Sequence, residues 1–311
     1  MEKIILFGAG KDGKSVYEFL QQRGEGNLVV CFCDNNKDLW GMKIGDAEVY
    51  SYEACKKKQE KFVIASTRYA EEIKNLLLED NMAYYMDISE WALSQEIDMV
   101  KWNRDYCAWF HIHSMDNYFD KAELDCGMNV FWNEDTVFYK MFCKLDLSNV
   151  IELAVGRGRH VPMYEDKADH IVLVDILQKN IDFCKERFKD SQKIDYYCNN
   201  GYNLSELHDN EYSALFTYDA MVHFEMMDIF AYLKDIHRVL RKGGMALFHH
   251  SNNTSDYKNS FFTAVDGRSY MSKDLFAYLA YRAGFEVVEQ QVIDWGVKDL
   301  DCVSLVRKNN L

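Results

Sequence analysis

Residues 151–160, Ile-Glu-Leu-Ala-Val-Gly-Arg-Gly-Arg-His, constrain the fold more than any other stretch of the chain. An apolar strand carrying Glu152 runs into a turn of small residues, Ala154, Gly156 and Gly158. A second apolar run, residues 170–175, ends in Asp175. This order is how a parallel α/β sheet builds a nucleotide pocket. Small residues let the backbone approach the ligand, and a carboxylate at the next strand tip takes ribose hydroxyls.

The rest of this half repeats the pattern. Apolar runs at 149–154, 170–175, 193–198, 212–219, 244–250, 285–295 and 302–308 read as strands. Gly296 and a short polar stretch separate the last two, which predicts an antiparallel hairpin. Residues 146–311 are therefore expected to form an α/β domain, mostly parallel and finished by that hairpin.

A smaller α/β pattern occupies residues 1–95. A strand at 3–10 precedes a helix at 11–24, and a second strand ends in Asp34. A helix around 51–60, a strand at 61–66, an amphipathic helix from Tyr69 to Asp80 and a short strand at 83–88 follow. Gly8, Gly10 and Gly13 fit the dinucleotide fingerprint, and Asp34 stands about twenty residues beyond them. These glycines serve either a bound nucleotide or only strand-to-helix packing. Between the halves, residues 96–145 are rich in aromatics and poor in glycine, which suggests a helical linker covering the second site as a lid. Packing is the commoner role of such aromatics, and His111 and His113 lack metal partners nearby in sequence.

A formal charge of −14 argues against nucleic acid, whose phosphates need clustered Lys and Arg. Nine cysteines are scattered without paired spacing, as expected of reduced thiols in a cytoplasmic protein. No charged-then-apolar leader opens the sequence, and no apolar run is long enough to span a bilayer. Carboxylates do not cluster as a divalent metal requires, so no metal site is expected.

With these residues in view, the second half resembles class I S-adenosylmethionine-dependent methyltransferases. The family's acidic-x-Gly-x-Gly-x-Gly motif falls on Glu152, Ala154, Gly156 and Gly158, with alanine in place of the first glycine. The resemblance implies that this turn cradles the methionine part of the cofactor. It further implies that Asp175 binds the ribose, that Ile176 lies against the adenine, and that Asn200 and Gly201 stand where an acidic residue usually meets the adenine amine. Asp219 matches the residue beside the reacting methyl. The strings Tyr-Asp-Ala-Met-Val-His-Phe-Glu (218–225), His-His-Ser-Asn-Asn (249–253) and Arg-Ser-Tyr-Met-Ser (268–272) resemble bacterial sugar O-methyltransferases of surface-polysaccharide pathways. The first half resembles the small Rossmann-like nucleotide-binding domains fused to sugar-modifying enzymes, which implies a second nucleotide, a sugar nucleotide or NAD.

Methyl transfer to a hydroxyl needs in-line alignment and removal of a proton. Histidine suits the second task, since its ordinary pKa of about 6.5 leaves a neutral base near pH 7. The candidates are His223, His249 and His250, with Asp219 as orienting partner or alternative base. A spacing of four residues predicts Asp219 and His223 on one helix face. His223 alternatively only packs, and His249 and His250 must point to opposite sides of their strand. Asn252, Asn253, Tyr257 and Arg268 follow the fifth strand, at the substrate edge of an open α/β sheet, and are expected to hold sugar hydroxyls or a phosphate.

The expectation is a methyltransferase acting on a small-molecule sugar, O-methylation being set beside N-methylation of an amino sugar. The alternatives are an NAD-dependent oxidoreductase working through Gly8, Gly10, Gly13 and Asp34, or a non-catalytic nucleotide-binding protein. The oligomeric state is not legible.

Overall fold

The computed structural model describes residues 1–113, 118–258, 261 and 263–309, excluding the side chains of 125 and 126. The chain divides into two compact units, Met1–Met115 and Asp116–Leu311. The division falls inside the aromatic-rich stretch.

In the first unit, β1 (Ile4–Phe7), α1 (Lys11–Gln22), β2 (Val29–Cys33), β3 (Lys43–Ile44), β4 (Ala47–Tyr50) and α2 (Tyr52–Cys55) follow one another. They are succeeded by β5 (Lys61–Ile64), α3 (Ala70–Glu79), β6 (Tyr84–Tyr85), α4 (Ile88–Ser94) and α5 (Met99–His113). The sheet runs β3-β4-β2-β1-β5-β6, parallel throughout except for the β3–β4 pair. Every residue of β1 is buried, as a central parallel strand covered on both faces requires. Gly13 is obligatory: a Cβ there would stand 1.9 Å from the Gly8 carbonyl oxygen, so α1 could not pack against the strand tip.

One feature of this unit departs from expectation. The helix expected over 51–60 is a single turn, Tyr52–Cys55, capped by the Ser51 hydroxyl. Before it, the stretch holding Gly41 and Gly45 forms the antiparallel β3–β4 hairpin. The early aromatics of the 96–145 stretch belong to this unit's core. Trp102 and Tyr106 on α5 meet Phe19 edge-on at 5.1 and 4.8 Å, and the Arg23 guanidinium lies over Trp102.

The second unit opens with α6 (Tyr118–Ala122), α7 (Asp125–Trp132) and α8 (Val137–Phe142). Then come β7 (Val150–Leu153), β8 (Ile171–Asp175), α9 (Gln178–Arg187), β9 (Ile194–Cys198), β10 (Tyr212–Thr217) and α10 (Met226–Val239). β11 (Leu240–Ser251), α11 (Lys273–Arg282), β12 (Phe285–Trp295) and β13 (Val297–Lys308) complete it. The sheet order is β12-β13-β11-β10-β7-β8-β9. β13 pairs antiparallel with both β11 and β12, and the other neighbours are parallel. The expected hairpin is present and turns at Gly296, whose φ of +66° suits a residue without a side chain.

Each face of this sheet has its own apolar layer. Along β10, Leu215 joins Leu233, Ile236 and Phe276 on one side, while Ala214 and Phe216 join Phe138, Phe142 and Leu305 on the other. The later aromatics of the 96–145 stretch build that second layer, with Phe131 and Phe138 edge-on to Tyr218 at 4.1 and 4.2 Å. Among the described residues, no helix is long and apolar enough to cross a membrane.

Candidate active site

The parallel strands β7, β8 and β10 end side by side, and the polar groups singled out from sequence gather at those ends. The turn after β7 coils to the left: Ala154, Gly156 and Gly158 have φ of +60°, +57° and +75°. Glycine takes this conformation freely, whereas Ala154 holds it under strain. A Cβ on Gly156 would stand 3.0 Å from the Phe119 ring, so α6 lies directly against the turn.

Asp175 ties this turn to β8. One carboxylate oxygen accepts the Gly156 N–H at 2.9 Å, and the other accepts the Leu177 N–H and the Asn180 amide at 2.9 and 3.1 Å. Burial nevertheless pushes its pKa up to about 6, against the lowering effect of these bonds. Glu152 is fully buried on β7, accepts the Tyr164 hydroxyl at 2.7 Å, and is pushed up by burial to about 8.

At the tip of β10, Asp219 is left-handed, with φ +55°. Its Oδ2 accepts from Arg159 at 2.9 Å and from the Tyr118 hydroxyl at 3.1 Å. Burial is the largest influence and raises its pKa. The Arg159 charge, with the Arg159 hydrogen bond, outweighs it and leaves Asp219 below the usual carboxylate range. Burial pushes the Tyr118 hydroxyl up to about 12, so it stays a donor.

The histidines part company. The predicted helix face carrying both Asp219 and His223 does not exist. Asp219 precedes a single 3₁₀ turn, Met221–His223, because its left-handed backbone cannot continue a helix. Nδ1 of His223 lies 3.0 Å from the Gly267 carbonyl, to which it must donate, so the lone pair of the neutral ring sits on Nε2. His249 is fully buried and contacts the Asp219 N–H and the Asp301 carboxylate at 3.2 and 3.0 Å. His250 faces the opposite side, as strand alternation demands. It stacks on Phe276 at 4.0 Å, and its nitrogens meet the Ser251 carbonyl and the Ser304 hydroxyl. Burial pushes its pKa down to about 3, so His250 is a core residue rather than a base.

The expected substrate residues are scattered in role. Arg268 is buried and clamps Asp301 with two hydrogen bonds, at 3.0 and 2.7 Å, instead of facing a ligand. Asn252 bonds the Asp299 carbonyl and the Lys273 N–H, and Asn253 bonds Ser255, so both amides brace loop backbone. Tyr257 is 74% exposed, and residues 259, 260 and 262 of this segment lie outside the described residues. Asn200 closes its own turn onto the Tyr202 and Asn203 N–H groups, beside left-handed Gly201. Ile176 stands partly exposed just past β8. Arg159, Tyr118 and Asp301 were not singled out from sequence. Arg159 had a signal, since it lies inside the glycine turn, but Tyr118 and Asp301 come from elements remote in the chain.

The first unit wires its glycine turn in the same way. Asp34 accepts the Ala9 N–H with one oxygen and the Asn36 N–H with the other, each at 2.8 Å. Gly8 takes φ +119°, and open space surrounds a Cβ placed on Gly10. No cluster of metal-ligating side chains occurs among the described residues.

A family model described as a methyltransferase domain matches residues 151–248, the stretch from the glycine turn to β11. The second unit has the class I methyltransferase fold. A second model, C2185-like N-terminal, matches residues 1–88. No curated protein matches the chain in sequence. Among solved structures, an S-adenosylmethionine-dependent methyltransferase from Mesorhizobium loti is 12% identical, with a TM-score of 0.46 over 55% of this chain and 97% of its own. One from Methanosarcina mazei is 13% identical, with a TM-score of 0.43 over 55% and 98%. The [4+2]-cyclase SpnF is 13% identical, with a TM-score of 0.44 over 54% and 76%.

The residues at the strand tips fit S-adenosylmethionine. The turn brings backbone to the strand tips with no side chain at Gly156 or Gly158, and Asp175 beside it supplies a carboxylate that suits ribose hydroxyls.

Proposed function

We propose that the protein transfers a methyl group from S-adenosylmethionine to a hydroxyl of a nucleotide-linked sugar, in the building of a surface polysaccharide. The observation that carries the methyl-transfer part is the convergence of the Gly156–Gly158 turn, Asp175 and Asp219 at adjacent strand tips of a class I sheet. The cofactor supplies an electrophilic methyl on a positively charged sulfur. The chain's own residues do the remainder. The glycine turn and Asp175 hold the methionine and ribose parts, Ile176 borders the adenine, and Asp219 stands at the methyl-facing edge.

His223 Nε2 takes the acceptor proton, its ring oriented by the Gly267 carbonyl. The sugar acceptor is supported by the resemblance of residues 218–225, 249–253 and 268–272 to sugar O-methyltransferases, and an amino sugar methylated on nitrogen is the neighbouring possibility. In the first unit, Asp34 and the Gly8–Gly10 turn, with Gly13 behind them, are proposed to hold a second nucleotide, a sugar nucleotide or NAD. Incubation with labelled S-adenosylmethionine and a panel of sugar nucleotides tests the reading. Label appearing only on protein or nucleic acid would sink it.

A further inference from the structure

Three buried side chains form a continuous chain from the loop after β11 to the Asp219 backbone at the tip of β10. The Arg268 guanidinium holds both oxygens of Asp301. Asp301 Oδ2 faces His249 Nε2 at 3.0 Å, and His249 Nδ1 faces the Asp219 N–H at 3.2 Å. Arg268, Asp301 and His249 are all buried, so water does not compete for these bonds.

A backbone N–H only donates, and a carboxylate clamped by a permanently charged arginine only accepts. The sole arrangement that satisfies both is a neutral His249 with its proton on Nε2 and its lone pair on Nδ1. That lone pair is spent on Asp219. We infer that Arg268, Asp301 and His249 are positioning residues: they lock the His249 tautomer and thereby hold the left-handed Asp219 backbone at the reaction site.

The relay has a second arm. Arg268 directly follows Gly267, whose carbonyl orients His223, so one buried ion pair seats both the Asp219 tip and the His223 ring. Left-handed Asp219 is an unfavourable conformation that persists only where surroundings over-determine it, and the His249 bond is such a constraint. His249 is then excluded as the base, although it lies next to the site.

The inference rests on the methyltransferase reading for its catalytic consequence but not for its structural test. In ¹⁵N-histidine-labelled protein, His249, assigned by difference from His249→Asn, should show an unprotonated Nδ1 and a protonated Nε2. A protonated Nδ1 overturns the relay whatever the protein catalyses. In activity, His249→Ala should lose about 10²-fold in kcat, the scale expected of a misplaced reacting group. His249→Asn retains an acceptor near the Nδ1 position but no basic nitrogen, and should recover most of that loss. S-adenosylmethionine affinity should be unchanged in both. If His249→Asn is folded, binds the cofactor and is as inactive as His249→Ala, then His249 is the base and the inference fails. If the unaltered protein transfers no methyl group, the functional reading fails while the tautomer still decides the relay.

Discussion

Asp175 Oδ2 accepts the Gly156 N–H at 2.9 Å, so the strand-tip carboxylate holds the glycine turn in place. Asp34 does the same for Ala9 in the first unit, and each aspartate also accepts the N–H two residues further along. The two units thus share one local solution: a carboxylate that accepts backbone N–H groups from the turn and from the residue two positions beyond its own.

Asp175→Ala should therefore weaken S-adenosylmethionine binding by two routes, loss of the ribose acceptor and loosening of the turn. Removing the acceptor orphans buried N–H groups, at about 1–3 kcal/mol each. Calorimetry should show affinity reduced at least about 10²-fold, equivalent to about 2.7 kcal/mol. Asp34→Ala should leave it unchanged. The reverse pattern would move the working site to the first unit.

Gly156→Ala tests the cradle. Its φ of +57° imposes strain of about 1–3 kcal/mol on a residue with a side chain, and the new methyl would press on Phe119. Denaturant titration should show a lowered midpoint. Combining it with Phe119→Ala should relieve the steric part and leave the backbone part. An unchanged midpoint in the single variant would mean that the turn tolerates a side chain.

Glu152 gives a pH dependence with a definite sign. Its folded pKa, about 8, lies above the ordinary 4.5, so the folded state binds more protons between those values. Stability of the ligand-free protein should consequently fall as pH rises through this window. Asp175 adds the same sign between 3.8 and about 6, whereas Asp219 and Asp301, both lowered, lose their contribution as pH falls. Melting curves of Glu152→Gln should be flatter than those of the unaltered protein between pH 6 and 8. Parallel curves would show that Glu152 is ionised throughout.

His223→Ala should keep S-adenosylmethionine affinity and lose turnover about 10²–10⁴-fold, the range for a positioned base. A log-linear rise of kcat with pH below the histidine range should vanish with it. Normal turnover in this variant would leave alignment, with Asp219 alone, as the means of catalysis.

Local pattern carried much of the fold. The Glu152–Gly158 turn, the acid-tipped strands ending in Asp34 and Asp175, and the hairpin around Gly296 were legible because each depends on neighbours in sequence: apolar period, small residues and a turn. The single-turn α2 and the β3–β4 hairpin were less so, since their segments are short and owe their structure to packing against β2.

The site divided along the same line. Sequence determined the Glu152–Gly158 turn, because two of its three left-handed positions are glycine. Only tertiary structure decided what His249, His250 and Arg268 do. Strand alternation says that the two histidines part, but not which meets Asp301 and which meets Phe276. That choice depends on β13 pairing with β11 more than fifty residues away in the chain, and on burial, which turns an arginine that sequence places at a substrate edge into the anchor of an internal ion pair.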